Sequence, residues 1–137
     1  MTDGERERLL AAAFAAGRNS YSPYSRYPVG AAVLCTDGTV YSGCNVENVS
    51  YPAGICAERN ALGSAVAAGK RHFKALAVCG SKENYTMPCG ICLQWLAEFR
   101  IPLILSAKSE TDYQEFRLEE LLPHAFAEEG LKDKGKI

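Results

Sequence analysis

The chain has 137 residues, a length that fits one domain with a single hydrophobic core. Hydrophobic residues make up 47 % of it, which excludes disorder throughout, and its net charge is −1. Apart from the short tail at 132–136, the sequence has none of the clustered Lys and Arg that tight binding to nucleic acid requires, which favours a small-molecule substrate, and no apolar run reaches the ~18 residues of a membrane span.

The elements predicted from apolar spacing alternate between helices and strands. In chain order they are a helix at 5–16, strands at 29–35 and 40–46, a helix at 56–68, a strand at 74–79, a helix at 89–99, strands at 103–106 and 113–117, and a helical turn at 118–122. Asp37-Gly38 is a hairpin signal between the first two strands. This alternation predicts an α/β fold, a sheet with helices packed on it.

We assign residues 1–127 to one domain and residues 128–137 to a polar, flexible tail. The first six residues are charged and lead into an amphipathic stretch, so we expect no signal peptide and a cytoplasmic location. Thiols stay reduced there, so the six cysteines favour metal binding or burial over disulfides. Three of them, Cys35, Cys44 and Cys79, lie in or beside apolar strands and are interpreted as small buried side chains.

Two cysteine motifs stand at predicted helix starts. They are Cys56-Ala57-Glu58-Arg59 and Pro88-Cys89-Gly90-Ile91-Cys92. The partial positive charge of a helix start favours thiolates, and Cys89 and Cys92, three residues apart, share a helix face. Three thiolates and one open position are typical of a catalytic zinc site. A closed structural site with a fourth cysteine is the competing interpretation.

The residues beside these cysteines suit hydrolysis. Glu58 can take a proton from an activated water, although it can also be an ordinary helix-start glutamate stabilised by the helix dipole. Arg59 can donate to a thiolate sulfur and offset its charge, or lie solvated on the surface. Asn45 and Glu47 share one face of a strand, where an amide and a carboxylate suit a polyol such as ribose.

Five ordered motifs make the chain resemble the small, homotetrameric cytidine deaminases over almost its whole length. The motifs are Tyr21-Ser22-Pro23-Tyr24-Ser25 with Pro28-Val29-Gly30-Ala31-Ala32, Gly43-Cys44-Asn45-Val46-Glu47-Asn48, Cys56-Ala57-Glu58-Arg59, Pro88-Cys89-Gly90 with Cys92 and Gln94, and Glu120-Leu121-Leu122-Pro123 with Phe126. The resemblance implies a cytidine deaminase-like three-layer fold, with a mixed five-stranded sheet flanked by helices. It also implies a zinc hydrolase of pyrimidine salvage that converts cytidine and 2′-deoxycytidine to the uridines.

The resemblance also assigns roles to residues. It implies that Cys56, Cys89 and Cys92 bind zinc and that Glu58 shuttles protons. Asn45 and Glu47 would hold the ribose, while the backbone of Ala57 would read the base. Tyr27 stands where the family usually has a base-stacking phenylalanine, and Phe126 would reach the site of a neighbouring subunit.

Three positions depart from the family. Leu93 replaces the usual arginine after the second metal cysteine, Trp95 is bulkier than the usual aliphatic residue, and Tyr27 adds a hydroxyl. These departures leave open a modified cytosine nucleoside as the substrate.

Three different functions compete with deamination of cytidine. A deaminase of a blasticidin-type nucleoside antibiotic shares the cysteine motifs, but the Asn45-x-Glu47 pair disfavours it. A nucleic-acid-editing deaminase is disfavoured because the sequence has no basic cluster. A non-catalytic binding module stapled by zinc would need the same cysteines, and Glu58 would be dispensable in it.

Overall fold

The computed structural model describes residues 1–132. Its elements are, in order, α1 (Asp3–Gly17), β1 (Gly30–Cys35), β2 (Val40–Cys44), α2 (Ala57–Ala67), β3 (Phe73–Cys79), α3 (Gly90–Glu98), β4 (Leu103–Ala107), β5 (Tyr113–Arg117), α4 (Leu118–Leu121) and α5 (Glu128–Lys132). A 3-10 turn at Tyr51–Ala53 lies in the loop before α2. The helices and strands predicted before residue 123 are all present, and their ends differ from prediction by at most two residues.

The five strands form one mixed sheet in the order β2-β1-β3-β4-β5. Strands β3 and β4 are parallel, and the other neighbouring pairs are antiparallel. Helix α1 covers one face of the sheet, where Leu9 and Leu10 pack against Leu34. Helices α2 and α3 cover the other, where Leu62 and Leu96 belong to a second apolar cluster. The predicted mixed five-stranded sheet with helices on both sides is therefore confirmed.

Close packing of α2 on β2 determines where α2 begins in the fold. Three alanines of α2, Ala57, Ala61 and Ala65, are fully buried. A Cβ at Gly43 in β2 would lie 2.5 Å from the Ala61 amide nitrogen, so this approach of helix to strand requires glycine. The start of α2 consequently lies beside the end of β2.

The parallel pair brings a second helix start to the same region. Because β3 and β4 run in the same direction, the chain must cross over between them, and α3 is part of that crossover. The loop at residues 80–89 leads from the end of β3 to the start of α3. Two helix starts that are far apart in sequence can therefore face one another.

All six cysteines are free thiols; Cys35 and Cys79 are buried, while Cys44 is half-buried. Residues 128–132, which we predicted to be part of a flexible tail, form α5, and Arg100 lies 3.7 Å from Glu129 there. Residues 133–137 lie outside the described residues, so the tail remains a prediction. No helix within residues 1–132 is long and apolar enough to cross a membrane.

Candidate active site

Three thiols converge where α2 and α3 begin. Cys56 is the N-cap of α2, Cys89 is the N-cap of α3, and Cys92 lies in the first turn of α3. Their sulfur atoms all lie within 4.8 Å of one another, and the Sγ atoms of Cys56 and Cys89 are 4.0 Å apart. Sulfur ligands ~2.3 Å from a tetrahedral zinc lie roughly 3.8 Å from each other, so these donors fit a zinc ion.

The cluster leaves one coordination position for a reactant. Among the described residues, no histidine, carboxylate or fourth cysteine joins the three thiols. Both histidines, His72 and His124, are exposed. An open fourth position distinguishes a catalytic zinc site from a structural one.

The thiols are polarised by each other and by a neighbouring arginine. The Cys92 thiol and the Arg59 guanidinium both hydrogen-bond Cys56 and lower its pKa to about 5. The pKa of Cys92 is raised by that contact with Cys56 and by burial. Arg59 donates from Nη2 to the Cys56 Sγ at 3.6 Å. Its side chain therefore approaches the sulfur, as a residue that offsets thiolate charge must.

Glu58 is a buried carboxyl in the first turn of α2. Only 5 % of it is exposed. The pKa of Glu58 is raised to about 7, chiefly by burial and also by the nearby Cys56, while a hydrogen bond from the helix backbone and the charge of Arg59 oppose this increase in part. A carboxyl that titrates near neutral pH can both accept and donate a proton, which is the requirement for general acid–base catalysis.

A cavity of about 500 Å³ opens beside Cys56. Four residues that the sequence singled out line it: Asn45, Glu47, Cys56 and Arg59. The sequence reasoning missed other lining residues, which come from the Tyr-rich loop, the 3-10 turn and α3: Tyr24, Ser25, Tyr51, Pro52 and Ile91. The concentration of tyrosines in the loop at 19–28 was the available signal for Tyr24. The cavity thus brings one proposed metal ligand, Cys56, together with polar groups that suit a sugar, whereas Cys89, Cys92 and Glu58 are not among its lining residues within the part of the chain that the structure describes.

Asn45 is held in place by its own loop and its neighbours. Its side-chain amide accepts from the Val29 N–H at 2.9 Å and from the Ser20 hydroxyl, and donates to the Tyr27 carbonyl at 2.9 Å. One N–H of the amide is left for a ligand.

The Glu47 carboxylate accepts two backbone N–H groups, from Tyr24 and Ser25, at 3.0 Å each, and the Ser25 hydroxyl. These bonds, that of the hydroxyl first, lower the pKa of Glu47, so it is ionised at neutral pH. A carboxylate offers about four acceptor sites, so one remains available to a ligand.

The remaining predicted residues lie around this centre at different distances from the cavity. Ala57 is fully buried between Cys56 and Glu58. Tyr27 and Phe126, which are 42 % and 62 % exposed, do not line the cavity within residues 1–132. Phe126 is tied to α3 by a bond of 2.8 Å from the Gln94 amide to its carbonyl. Within one chain, the structure therefore does not bring Phe126 into the cavity.

Comparison with known proteins shows that the chain is similar to them over most of its length. The model of the cytidine and deoxycytidylate deaminase zinc-binding region matches residues 3–108. The chain is 46 % identical over 128 residues to a cytidine deaminase of Sporosarcina psychrophila, covering 91 % of this chain and 93 % of that one. A cytidine deaminase of Halalkalibacterium halodurans is 40 % identical over 131 residues, covering 94 % and 99 % of the two chains. The crystal structure of cytidine deaminase from Burkholderia pseudomallei superposes with a TM-score of 0.83 and 43 % identity, covering 92 % of this chain and all of that one.

Proposed function

Because the chain belongs to the family of zinc-dependent cytidine and deoxycytidylate deaminases, we propose that it removes the amino group of cytidine and 2′-deoxycytidine by hydrolysis. The products are uridine or 2′-deoxyuridine and ammonia, as in pyrimidine salvage. One observation carries the proposal: three thiols converge at the starts of α2 and α3 beside the buried Glu58, and one of them, Cys56, lines a cavity together with Asn45 and Glu47. A binding module stapled by zinc has no need of a carboxyl kept at a costly buried position, so Glu58 favours the enzyme.

Cys56, Cys89 and Cys92 would hold the zinc ion. When bound, zinc supplies the Lewis acidity that makes water nucleophilic enough at neutral pH to attack an amidine-like ring carbon. Three thiolates around a doubly charged ion leave a net charge of −1, which weakens that acidity. Arg59, at 3.6 Å from the Cys56 sulfur, offsets part of the excess negative charge.

Glu58 would carry the protons. It accepts one from the attacking water as the new C–O bond forms, and passes a proton to the ring nitrogen. It then takes the proton of the new hydroxyl group and delivers it to the amino group. The C–N bond breaks, ammonia leaves, and the hydroxyl oxygen becomes the carbonyl oxygen of the product. Its pKa of about 7 fits these exchanges because neither protonation state is strongly disfavoured. The backbone of Ala57, between Cys56 and Glu58, would read the base.

Asn45 and Glu47 would hold the sugar. Each keeps hydrogen-bonding capacity after its bonds within the protein are counted, and both line the cavity. A site built to bond hydroxyl groups discriminates against a ligand that lacks them, because its own polar groups are then left unpaired. Free cytosine should therefore react poorly. Cytidine monophosphate should also react poorly, since the ionised Glu47 repels a phosphate near the sugar.

The assembly we propose is a homotetramer with sites near the subunit interfaces. Phe126 would reach a neighbouring site and Tyr27 would face the base. Exposed apolar side chains support this: Ile91 and Tyr51, which line the cavity, are 61 % and 75 % exposed in the single chain, and Val49, which follows the lining residue Asn48, is 78 % exposed. A cytoplasmic location suits the six free thiols, which a reducing compartment preserves.

The experiment is a substrate panel on the purified zinc-loaded protein, following loss of cytosine absorbance. It compares kcat/KM for cytidine, 2′-deoxycytidine, cytosine, cytidine monophosphate, a 5-substituted cytidine and a blasticidin-type antibiotic. We expect the two unmodified nucleosides to lead. If the bare base or the monophosphate matched cytidine, the roles of Asn45 and Glu47 would have to be abandoned.

A further inference from the structure

Two hydroxyl groups 59 residues apart join the loop before β1 to the loop before α3. The Tyr27 hydroxyl lies 3.0 Å from the Thr86 Oγ1. The Tyr27 ring lies against the backbone of Gly80, where an added Cβ would come within 2.8 Å of the Tyr27 Cε1. The ring is thus seated on the end of β3 as well as bonded through its hydroxyl.

Thr86 is anchored within its own loop. Its hydroxyl accepts from the Ser81 N–H at 3.2 Å, and its carbonyl accepts from the hydroxyl of Ser106 at 2.6 Å. Ser106 belongs to β4 and is fully buried. Only Met87 and Pro88 separate Thr86 from Cys89, and proline restricts the backbone of such a short connection. A shift of Thr86 would therefore be passed on to Cys89.

The other end of Tyr27 is bonded to the proposed sugar site. Its N–H donates to the Ser25 hydroxyl at 3.0 Å, and that hydroxyl donates to Glu47. Its carbonyl accepts from the Asn45 amide at 2.9 Å. Tyr27 therefore connects the loop of Asn45 and Glu47 to the loop that ends at Cys89.

We propose that Tyr27 is a positioning residue, whose hydroxyl acts through Thr86 to fix the position of the loop of Asn45 and Glu47 relative to Cys89. The inference rests on the proposed function, since this relative position matters only if one ligand contacts both the sugar-binding residues and the metal. A phenylalanine at this position would fill the same space but leave the two loops joined by packing alone. Small errors in the relative position of the two loops are costly because reaction requires the substrate to be held close to its reacting geometry.

The test compares Tyr27→Phe, Thr86→Val and the double variant by kcat and KM for cytidine. Each single change should lower kcat/KM by roughly 3- to 10-fold, the range that one hydrogen bond spans. The double variant should lose no more than Thr86→Val alone, because Thr86→Val already removes the bond to Tyr27 as well as the acceptor of the Ser81 N–H. Thr86→Ser keeps the oxygen and should restore the wild-type kcat/KM.

Tyr85→Phe is the matched control. Tyr85 lies in the same loop, but its hydroxyl bonds Asp112 at 2.6 Å and its ring carries Lys108, 4.3 Å from the ring centroid. It should leave kcat/KM within about 2-fold, since a hydrogen bond away from the reaction site affects stability rather than substrate geometry. An equal loss in Tyr85→Phe, or additive losses in the double variant, would overturn the proposal.

Amide hydrogen exchange tests the tether, that is, the Tyr27–Thr86 bond between the two loops, independently of the activity. Tyr27→Phe should speed exchange in both loops, at residues 24–28 and 81–86, whereas Tyr85→Phe should do so in the second loop alone. If the wild-type protein deaminated no cytosine nucleoside, the proposed function would fail while this exchange pattern still decided the tether. Unchanged exchange in both loops of Tyr27→Phe would overturn the tether.

Discussion

The starts of α1 and α2 each contain a glutamate in the first turn, and the two glutamates have opposite environments. Glu5 in α1 accepts from the Thr2 N–H at 2.9 Å and pairs with the Lys74 ammonium at 2.7 Å. The bond from Lys74, followed by that from Thr2, lowers the pKa of Glu5 to about 2. Glu58 in α2 is buried, and its pKa is raised to about 7. The same residue type in a similar helical position thus has its pKa shifted in opposite directions.

The capping residues differ in the same sense. Thr2 forms a complete capping box with Glu5, which satisfies backbone N–H groups at the start of α1. Cys56 and Cys89, at the starts of α2 and α3, form no capping hydrogen bond with their side chains. The start of α1 is stabilised by capping and charge pairing, whereas the starts of α2 and α3 lack this stabilisation. Departures of this kind are expected where function requires them.

The largest expected effect comes from Cys89→Ser, because it replaces a metal ligand with a preferred capping residue. If Cys89 served α3 only as a cap, the variant would be as stable as the wild type or more so. We expect instead that it binds far less than the one zinc per chain of the wild type, loses turnover, and unfolds at lower temperature. Metal analysis and thermal unfolding measure this.

Cys44→Ser is the matched control for Cys89→Ser, since Cys44 is half-buried and outside the cluster. It should keep its zinc. Full zinc occupancy in Cys89→Ser would show that Cys89 is not a metal ligand and that the start of α3, like that of α1, serves stability alone.

Glu58→Gln should have the next largest effect. The amide keeps the size of the side chain but cannot accept the proton of the attacking water, so kcat should fall by ~10²–10⁴-fold or more. Zinc should remain bound, as metal analysis would show. Glu5→Gln makes the same change at the start of α1 and should keep wild-type turnover. Near-normal kcat in Glu58→Gln would refute the proton shuttle and revive the zinc-stapled binding module.

Glu47→Ala sharpens the comparison, because Glu47 has a lowered pKa like Glu5 but lies in the cavity. If it bonds the sugar, kcat/KM for cytidine should fall roughly 10-fold or more, the cost of leaving polar groups unpaired. Zinc should stay bound. Glu110→Ala, a change at an exposed carboxylate outside this cavity, is the control for the loss of one negative charge. If Glu47→Ala and Glu110→Ala had equal kcat/KM for cytidine, the lowered pKa of Glu47 would not indicate contact with the substrate.

The smallest effect is expected from Glu5→Gln, on stability and its dependence on pH. The folded pKa of about 2 lies below the ordinary value of 4.5, so the pair with Lys74 stabilises the fold fully above pH 4.5. That contribution is lost as the pH falls toward 2. Wild type should therefore exceed the variant in urea resistance at pH 7, with the difference shrinking by pH 3. Glu7→Gln, at an exposed site on the same helix, should show no such change in difference.

Most elements of secondary structure were predictable because they depend on local periodicity. Alternating apolar runs and the Asp37-Gly38 turn act over a few residues, and each predicted strand and helix before residue 123 formed. The short helix α5 was not predicted, since its five residues contain no apolar repeat. The cysteine motifs could be recognised for the same reason, because their spacing relative to a helix start involves only a few neighbouring residues.

Only the tertiary structure decided which distant residues meet and which charges are buried. Cys56 and Cys89, 33 residues apart, approach because the sheet order and the α3 crossover bring two helix starts together. The raised pKa of Glu58 depends on burial by the packed helices, which no stretch of sequence near it specifies. The Tyr27–Thr86 bond likewise depends on two loops meeting across the end of β3. Local pattern determines the elements, but contact and desolvation are properties of the whole packed chain.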